Sequence, residues 1–254
     1  MNKTNLLSGL EGEERVLISH VMDLAERCEK AGVTMYSPFL NPREVKLALS
    51  RCKGNFSVNS FGGYEDSERK ILAFSATDEI WYDYPVDAVK ISSKDGKVFS
   101  HRDYLGSVLS LGIRREKIGD IVVEDDFALV FCHRSVGEYI CLNLTKVASA
   151  NVLCEICPVD EVKVERKFSA KNLSVASLRA DAVISGAIGK SREVSADLIS
   201  KGYVQINYEV AKSSSARIKD GDVVSVRGFG KMVVETGCET TKKGRIKIIV
   251  KQFV

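Results

Sequence analysis

Apolar positions in the first 80 residues recur first at helical spacing and then at strand spacing. From Glu11 to Ala31 the pattern predicts an amphipathic helix, closed by Gly32 where a left-handed C-cap residue belongs. Asn41-Pro42-Arg43-Glu44 announces a second helix, since Asn can cap, Pro suits the first turn and Glu44 completes a capping box. Two strand-like runs follow, Phe56 to Phe61 and Lys70 to Ser75, joined by the turn-rich GGYEDSE. Residues 1–82 are therefore expected to form a small α/β module.

The next stretch, 83–160, changes period several times. VDAVKIS reads as a strand, HRDYLGSVLSLG as a helix capped by Ser100, GDIVVE and FALVFC as strands, RSVGEYICLNLTKV as a helix and NVLCEIC as a strand. This βαββαβ order predicts a ferredoxin-like domain, a layout shared by many RNA-recognition folds but also by unrelated functions. The aromatic signature of base-stacking sheets is missing: the first strand has no aromatic, and Phe127 and Phe131 fit core packing at least as well. Charged residues at 161–174 read as a linker. Residues 175–254 then predict helices over 177–185 and 191–200, and strands over 203–208, 222–227, 231–236 and 245–253, with Asp220-Gly221-Asp222 as a turn. The fold class is α+β, ending in two helices on a small antiparallel sheet.

Composition narrows the function classes. Hydrophobic residues make up 44% and charged residues 28%, ordinary values for a folded domain. No run reaches the roughly 18 to 20 apolar residues of a membrane span, and the N-terminus lacks a signal-peptide pattern, so a cytoplasmic location is expected. Seven scattered cysteines suit reduced thiols; Cys154 and Cys157 fall on opposite faces of a strand and cannot chelate one ion. No metal or cofactor is expected. The three histidines form no Ser/His/Asp or Cys/His set, and His20 and His133 receive no role. His101-Arg102-Asp103 begins like a kinase catalytic loop, but Val108 stands where Asn is required and no DFG is present. Gly228-Phe229-Gly230 lacks the third glycine of a dinucleotide fingerprint and reads as a hairpin turn. A non-enzymatic protein is expected.

Charge is divided unevenly. From Lys171 onward 15 Lys and Arg face 8 Asp and Glu, net +7, whereas the first 170 residues carry net −4. The asymmetry points to an anionic partner for the C-terminal module, nucleic acid being the commonest. Within that module, Ser191 is a good N-cap whose helix start favours a phosphate, and Lys190 and Arg192 flank it. Val194, Leu198 and Ile199 are expected to face inward, and Gly202 to reverse the chain into a strand presenting Gln205 and Asn207. Arg179, Lys201, Lys212, Arg227 and Lys231 extend the candidate RNA-binding set, and Asp181 is expected to be a helix acid paired with a nearby cation. The last strand carries Arg245, Lys247 and Lys251. A second candidate patch comprises His101, Arg102, Arg114, Arg115 and Lys117; a solvated helix rim accounts for these residues equally well.

Arg179-x-Asp181, Ser191-Arg192, Ala196, Leu198-Ile199, Gly202, Val204, Asn207 and Gly221-Asp222 together resemble the S4-type RNA-binding domain. Tyr208 departs from that pattern, where Gly often follows the Asn, and is expected to widen the turn. Upstream, PFLNPRE at 38–44, Gly62-Gly63-Tyr64-Glu65, Glu68-Arg69-Lys70, HRDYLG at 101–106 and LGIRREKIGD at 111–120 resemble the YlmH-type proteins over nearly the whole chain. That resemblance implies a bacterial protein, often encoded near cell-division genes, whose relatives bind the large ribosomal subunit and help process obstructed subunits carrying peptidyl-tRNA. It also implies structured ribosomal RNA, with tRNA, as partner. Two other readings stay open: an RNA-modifying enzyme of the pseudouridine synthase kind with its active site in the first two modules, and an interaction protein of the division machinery.

Overall fold

The computed structural model describes residues 3–77, 83–164, 168–241 and 244–253. Residue 82, where the first boundary is expected, residues 165–167 of the expected linker and the Cys238 side chain lie outside the described residues. The chain divides into two compact units, Met1–Val164 and Glu165–Val254, the first of which spans both expected N-terminal modules.

The first unit begins with helices α1 (Lys3–Leu6) and α2 (Gly12–Ala31), strand β1 (Met35–Tyr36) and helix α3 (Pro42–Arg51), followed by β2 (Ser57–Phe61) and β3 (Ile71–Ser75). Gly32 closes α2 at φ 67°, a conformation that costs glycine little. The capping box of α3 is complete: Glu44 N–H donates to Asn41 Oδ1 at 2.9 Å and Asn41 N–H to Glu44 Oε2 at 2.7 Å. The small antiparallel sheet, in order β1-β3-β2, packs Leu72 and Phe74 against Ile18, Val21 and Ala48 of the helices.

The second part of this unit runs β4 (Val86–Ser93), α4 (His101–Leu109), β5 (Ile118–Val123), β6 (Phe127–His133), α5 (Arg134–Asn143), β7 (Lys146–Val147) and β8 (Ala150–Cys157). Its antiparallel sheet has the order β5-β6-β4-β8-β7, which inserts β6 between the two strands that flank α4. One face carries Val89, Ile91, Ile118 and Val130 against Tyr104, Val108 and Ile140 of the helices. The opposite face, bearing Ala88, Leu129 and Phe131, packs on Phe39, Tyr64 and Ile71 of the first sheet region. Phe131 is fully buried, with its ring centroid 5.0 Å from that of Tyr64. Phe127 is half-buried and lies under the Lys90 ammonium.

The join is polar as well as apolar. Asp120 on β5 accepts hydrogen bonds from the Tyr64 hydroxyl (2.8 Å) and the backbone N–H groups of Glu68 (2.6 Å) and Arg69 (3.0 Å). The Arg69 guanidinium donates to the carbonyls of Phe39 and Ile118. Gly63, at φ 108°, lies so near Phe131 that a Cβ would come within 2.1 Å of the ring. Replacing Asp120 with Ala should therefore destabilise this unit by about 2–4 kcal/mol, because three donors lose a charged acceptor. Calorimetry would show the transition of the first unit falling and that of the second unmoved; a shift in neither would remove this join.

The second unit comprises β9 (Phe168–Val175), α6 (Ala180–Ile188), α7 (Arg192–Ser200), β10 (Val204–Ile206), β11 (Glu209–Val210), β12 (Asp222–Val226), β13 (Gly230–Thr240) and β14 (Ile246–Phe253). Its antiparallel sheet has the order β11-β10-β12-β13-β14-β9. β9 pairs with β14 from Phe168 to Val175, so the second half of the expected linker is an edge strand. Both helices cover one face, where Val183, Ile184 and Ile199 meet Val204, Val224, Met232, Val234 and Ile248. α6 starts three residues later than the pattern predicts. Leu178 and Arg179 are occupied in extended pairing, with Ile218 N–H donating to Leu178 O and Arg179 bridging Arg217.

Candidate nucleic-acid interface

The corner between α6 and α7 is built by local capping. Gly189, at φ 66°, ends α6; Ser191 then caps α7, its Oγ accepting Val194 N–H at 3.2 Å. Ser185 Oγ donates to Lys190 O, tying the corner to the preceding helix. At the far end of α7, Gly202 is left-handed at φ 71°, and the Tyr203 N–H returns to Leu198 O, which closes the helix and turns the chain into β10. Val194 departs from expectation. It is 42% exposed, and Ser195, with its hydroxyl bonded to Ser191 O, takes the buried position instead.

Asp181 organises the corner. Its side chain is 9% exposed and accepts from two arginines: Arg179 Nε at 3.1 Å and Nη2 at 3.2 Å, and Arg192 Nη2 at 2.7 Å. Burial alone would raise the Asp181 pKa, but the bonds and charges of Arg179 and Arg192 outweigh it and hold the carboxyl below its ordinary value. The helix acid expected to pair with one cation pairs with two. Both guanidiniums stay about half exposed at their outer edges, and one carboxylate leaves the trio net positive. Lys190 adds an exposed ammonium beside the start of α7.

The other candidates are distributed differently. Lys201 is exposed but held by Asp197 at 2.7 Å, an i,i+4 pair along α7. The side chain of Asn207 is used by the fold: its Nδ2 donates to Asp222 Oδ1 at 2.8 Å and its Oδ1 accepts Val223 N–H at 3.0 Å. Asn207 and Tyr208, at φ 51° and 68°, form a tight left-handed turn into β11, not the widened one expected. Gln205, Ser225 and Lys231 are cross-strand neighbours whose parity opposes that of buried Val204, Val224 and Met232, so they occupy the sheet face turned away from the helices. Near them the Arg227 guanidinium lies 5.0 Å from the Tyr203 ring and the Lys231 ammonium 5.6 Å from the Tyr208 ring. Lys212 is exposed in the loop after β11. The structure thus gathers Arg179, Lys190, Ser191 and Arg192 at one corner and leaves Gln205 and Lys231 on another side.

The second patch does not converge. His101 and Arg102 open α4, whereas Arg114, Arg115 and Lys117 lie beyond its other end, roughly 13 Å along a nine-residue helix. Arg114 pairs with Glu116 at 2.9 Å. Arg115 turns inward to donate to Ile118 O at 2.5 Å, and burial lowers its pKa to about 10. Among the described residues no group of His, Cys, Asp or Glu could hold a metal ion, and burial pushes the Cys154 thiol up to about 12.

Arg217 was not among the candidates. It is exposed, its backbone bridges Arg179, and among the described residues it has no ionic partner. The polar run AKSSSARIKDGD around it carries no periodicity, so no sequence signal separates it from an ordinary loop cation.

Comparison with known proteins finds family matches in two segments of the chain. Residues 82–161 match the family described as "Putative RNA-binding domain in YlmH", and residues 179–224 match the S4 domain. The chain combines a YlmH-family domain with an S4 domain. Across 242 residues, covering 93% of this chain and 94% of the relative, it is 28% identical to ribosome-associated protein quality control protein P2 of Bacillus subtilis (strain 168). The solved structure of cell division protein ylmH from Streptococcus pneumoniae shares the fold over 61% of this chain and 98% of its own, with a TM-score of 0.52 at 19% identity. The arginine pair, its carboxylate and the Ser191 cap all fall inside the S4 match, while Arg115 and Asp120 fall inside the YlmH-family match.

The Asp181 linkage has a pH signature. Its folded pKa is depressed, so its stabilisation is complete above the unfolded value of about 3.9 and is lost as pH falls through the folded value. At neutral pH, Asp181→Asn should lower the stability of the S4 unit by about 1–3 kcal/mol. Denaturant titrations at a series of pH values should show that deficit shrinking below about pH 4; a deficit independent of pH would contradict the linkage.

Proposed function

We propose that this chain is a non-enzymatic, ribosome-associated RNA-binding protein whose S4 domain grips structured ribosomal RNA, together with tRNA, on the large subunit in translation quality control. The observation that carries this reading is the pair of arginines anchored on one buried carboxylate beside the capped start of α7. Guanidiniums fixed in this way meet phosphates without first losing rotamer freedom, and the helix dipole adds to their attraction. The two domain matches support RNA binding, and the name of the quality-control relative supports a ribosomal context.

The closed sheet of the first unit supports a particular division of labour. Both faces of β4 and β6 are covered by the unit's own side chains, and Phe131 cannot stack on a base. RNA contacts from this unit would use helix ends and loops, and most of the phosphate neutralisation falls to the S4 domain. No helix among the described residues is long and apolar enough to cross a membrane; with a ribosomal partner, the cytoplasm is the compartment proposed.

Arg192→Ala should weaken binding to ribosomal subunits and reduce the dependence of log K on log salt by about one. Lys201→Ala, which removes a cation already held by Asp197, should have the smaller effect. Sedimentation at two salt concentrations checks both, and unchanged binding by the Arg192 variant would withdraw the interface.

A further inference from the structure

Beside the arginine corner lies a recess of about 370 Å³, lined by Ala176, Ser177, Leu178, Arg179, Ser215, Arg217 and Ile246. Its walls are the end of β9, the approach to α6, the loop before β12 and the first residue of β14. Among the described residues no acidic one lines it. The antiparallel bridge between Arg179 and Arg217 places these residues as cross-strand neighbours, whose side chains leave the backbone on the same side about 5 Å apart. Arg179 uses Nε and Nη2 on Asp181, which leaves N–H donors of its five uncommitted; Arg217 has no ionic partner among the described residues. The two arginines start from neighbouring backbone positions, one of them is aimed by a carboxylate, and together they offer donors for a phosphate.

The recess is also fixed in place. Ala180 N–H donates to Ala216 O at 2.8 Å and Asp181 N–H to Ser214 O at 3.1 Å, so the loop itself satisfies the first amides of α6. The Ser213 and Ser215 hydroxyls bond each other at 2.8 Å. Arg245, next to Ile246, donates to Ser174 O and ties the start of β14 to β9. Leu178 and Ile246 supply an apolar wall next to the two cations, and the volume falls in the range of about 300–1,000 Å³ that accommodates small ligands. Two cations, apolar carbon and serine hydroxyls in one lining match one nucleotide better than a bare anion.

We infer that this recess takes a single unpaired nucleotide of the bound RNA, with its phosphate between Arg179 and Arg217 and its base against Leu178 and Ile246. The inference rests on the RNA-binding reading above and adds to it a preference for duplex RNA that carries an unpaired nucleotide at its end. The recess shares Arg179 with the corner, so a duplex on Arg192 and Lys190 can deliver its end there.

The test uses the full chain and two RNA hairpins, one blunt and one with a short unpaired 3′ extension, in fluorescence anisotropy titrations. Wild-type protein should bind the extended hairpin about tenfold more tightly than the blunt one, the size expected from one stacked and phosphate-anchored nucleotide. Arg217→Ala should abolish that preference, so that the two hairpins bind with equal affinity; Arg217→Lys, which keeps the charge but not the planar guanidinium, should recover only part of it. Equal binding of the two hairpins by wild-type protein, or a preference that survives Arg217→Ala, overturns the recess while the RNA-binding reading stands. Failure of wild-type protein to bind either hairpin or a ribosomal subunit overturns both.

Discussion

One buried carboxylate governs the C-terminal unit of this molecule. Asp181 sits in the first turn of α6, where it would be costly to bury without partners, and it finds two in Arg179 and Arg192. Arg179 precedes α6, and Arg192 opens α7. The ion triad therefore fixes the angle between the helices as well as the direction of the guanidiniums, and the Gly189 turn and Ser191 cap make that angle attainable. The fold and the proposed function draw on the same residues: the charge that stabilises the corner is the charge that orients its cations outward.

In the first unit a different carboxylate has a comparable place. Asp120 gathers Tyr64, Glu68 and Arg69 from the β2–β3 connection onto β5, and the sheet face that would otherwise be open is sealed by Phe131 on Phe39 and Tyr64. That sealing supports the division of labour proposed for the two units. A four-to-six-stranded sheet with one free face is a natural platform for bases, but here the face is part of the core.

Much of this architecture was legible in the residues. The Asn41 capping box, the Gly32 C-cap and the Ser100 and Ser191 caps are local chemistry, readable three or four positions at a time, and each is present. The alternation of strands and helices over 86–157 was legible from the apolar period, except that the end of the expected second helix, Lys146–Val147, is the short strand β7. What failed depends on long-range contacts. β9 has too little apolar character to declare itself a strand and becomes one by pairing with β14, 70 or more residues downstream. Asn207 looks like a polar group offered to a ligand, yet Asp222 and Val223 on a neighbouring strand use it up. Arg115 reads as a surface cation until the carbonyl of Ile118 turns it inward. The candidate site was legible at its centre, since Arg179, Ser191 and Arg192 are brought together. Its outline was not, because strand parity sends Gln205 and Lys231 to the other face and only tertiary pairing brings Arg217 beside Arg179.

The role of Asp181 can be separated from simple electrostatics by the sign of one measurement. If RNA affinity depended only on net charge, replacing Asp181 with Asn would strengthen binding, because a negative charge beside the phosphates is removed. If the carboxylate acts by aiming Arg179 and Arg192, the same substitution must weaken it. The decisive measurement is the affinity of folded Asp181→Asn protein for ribosomal subunits, set beside wild type and the Asp181→Asn, Arg192→Ala double variant. The account predicts weaker binding by Asp181→Asn and a loss in the double variant smaller than the sum of the two single losses. Tighter binding by Asp181→Asn would contradict it.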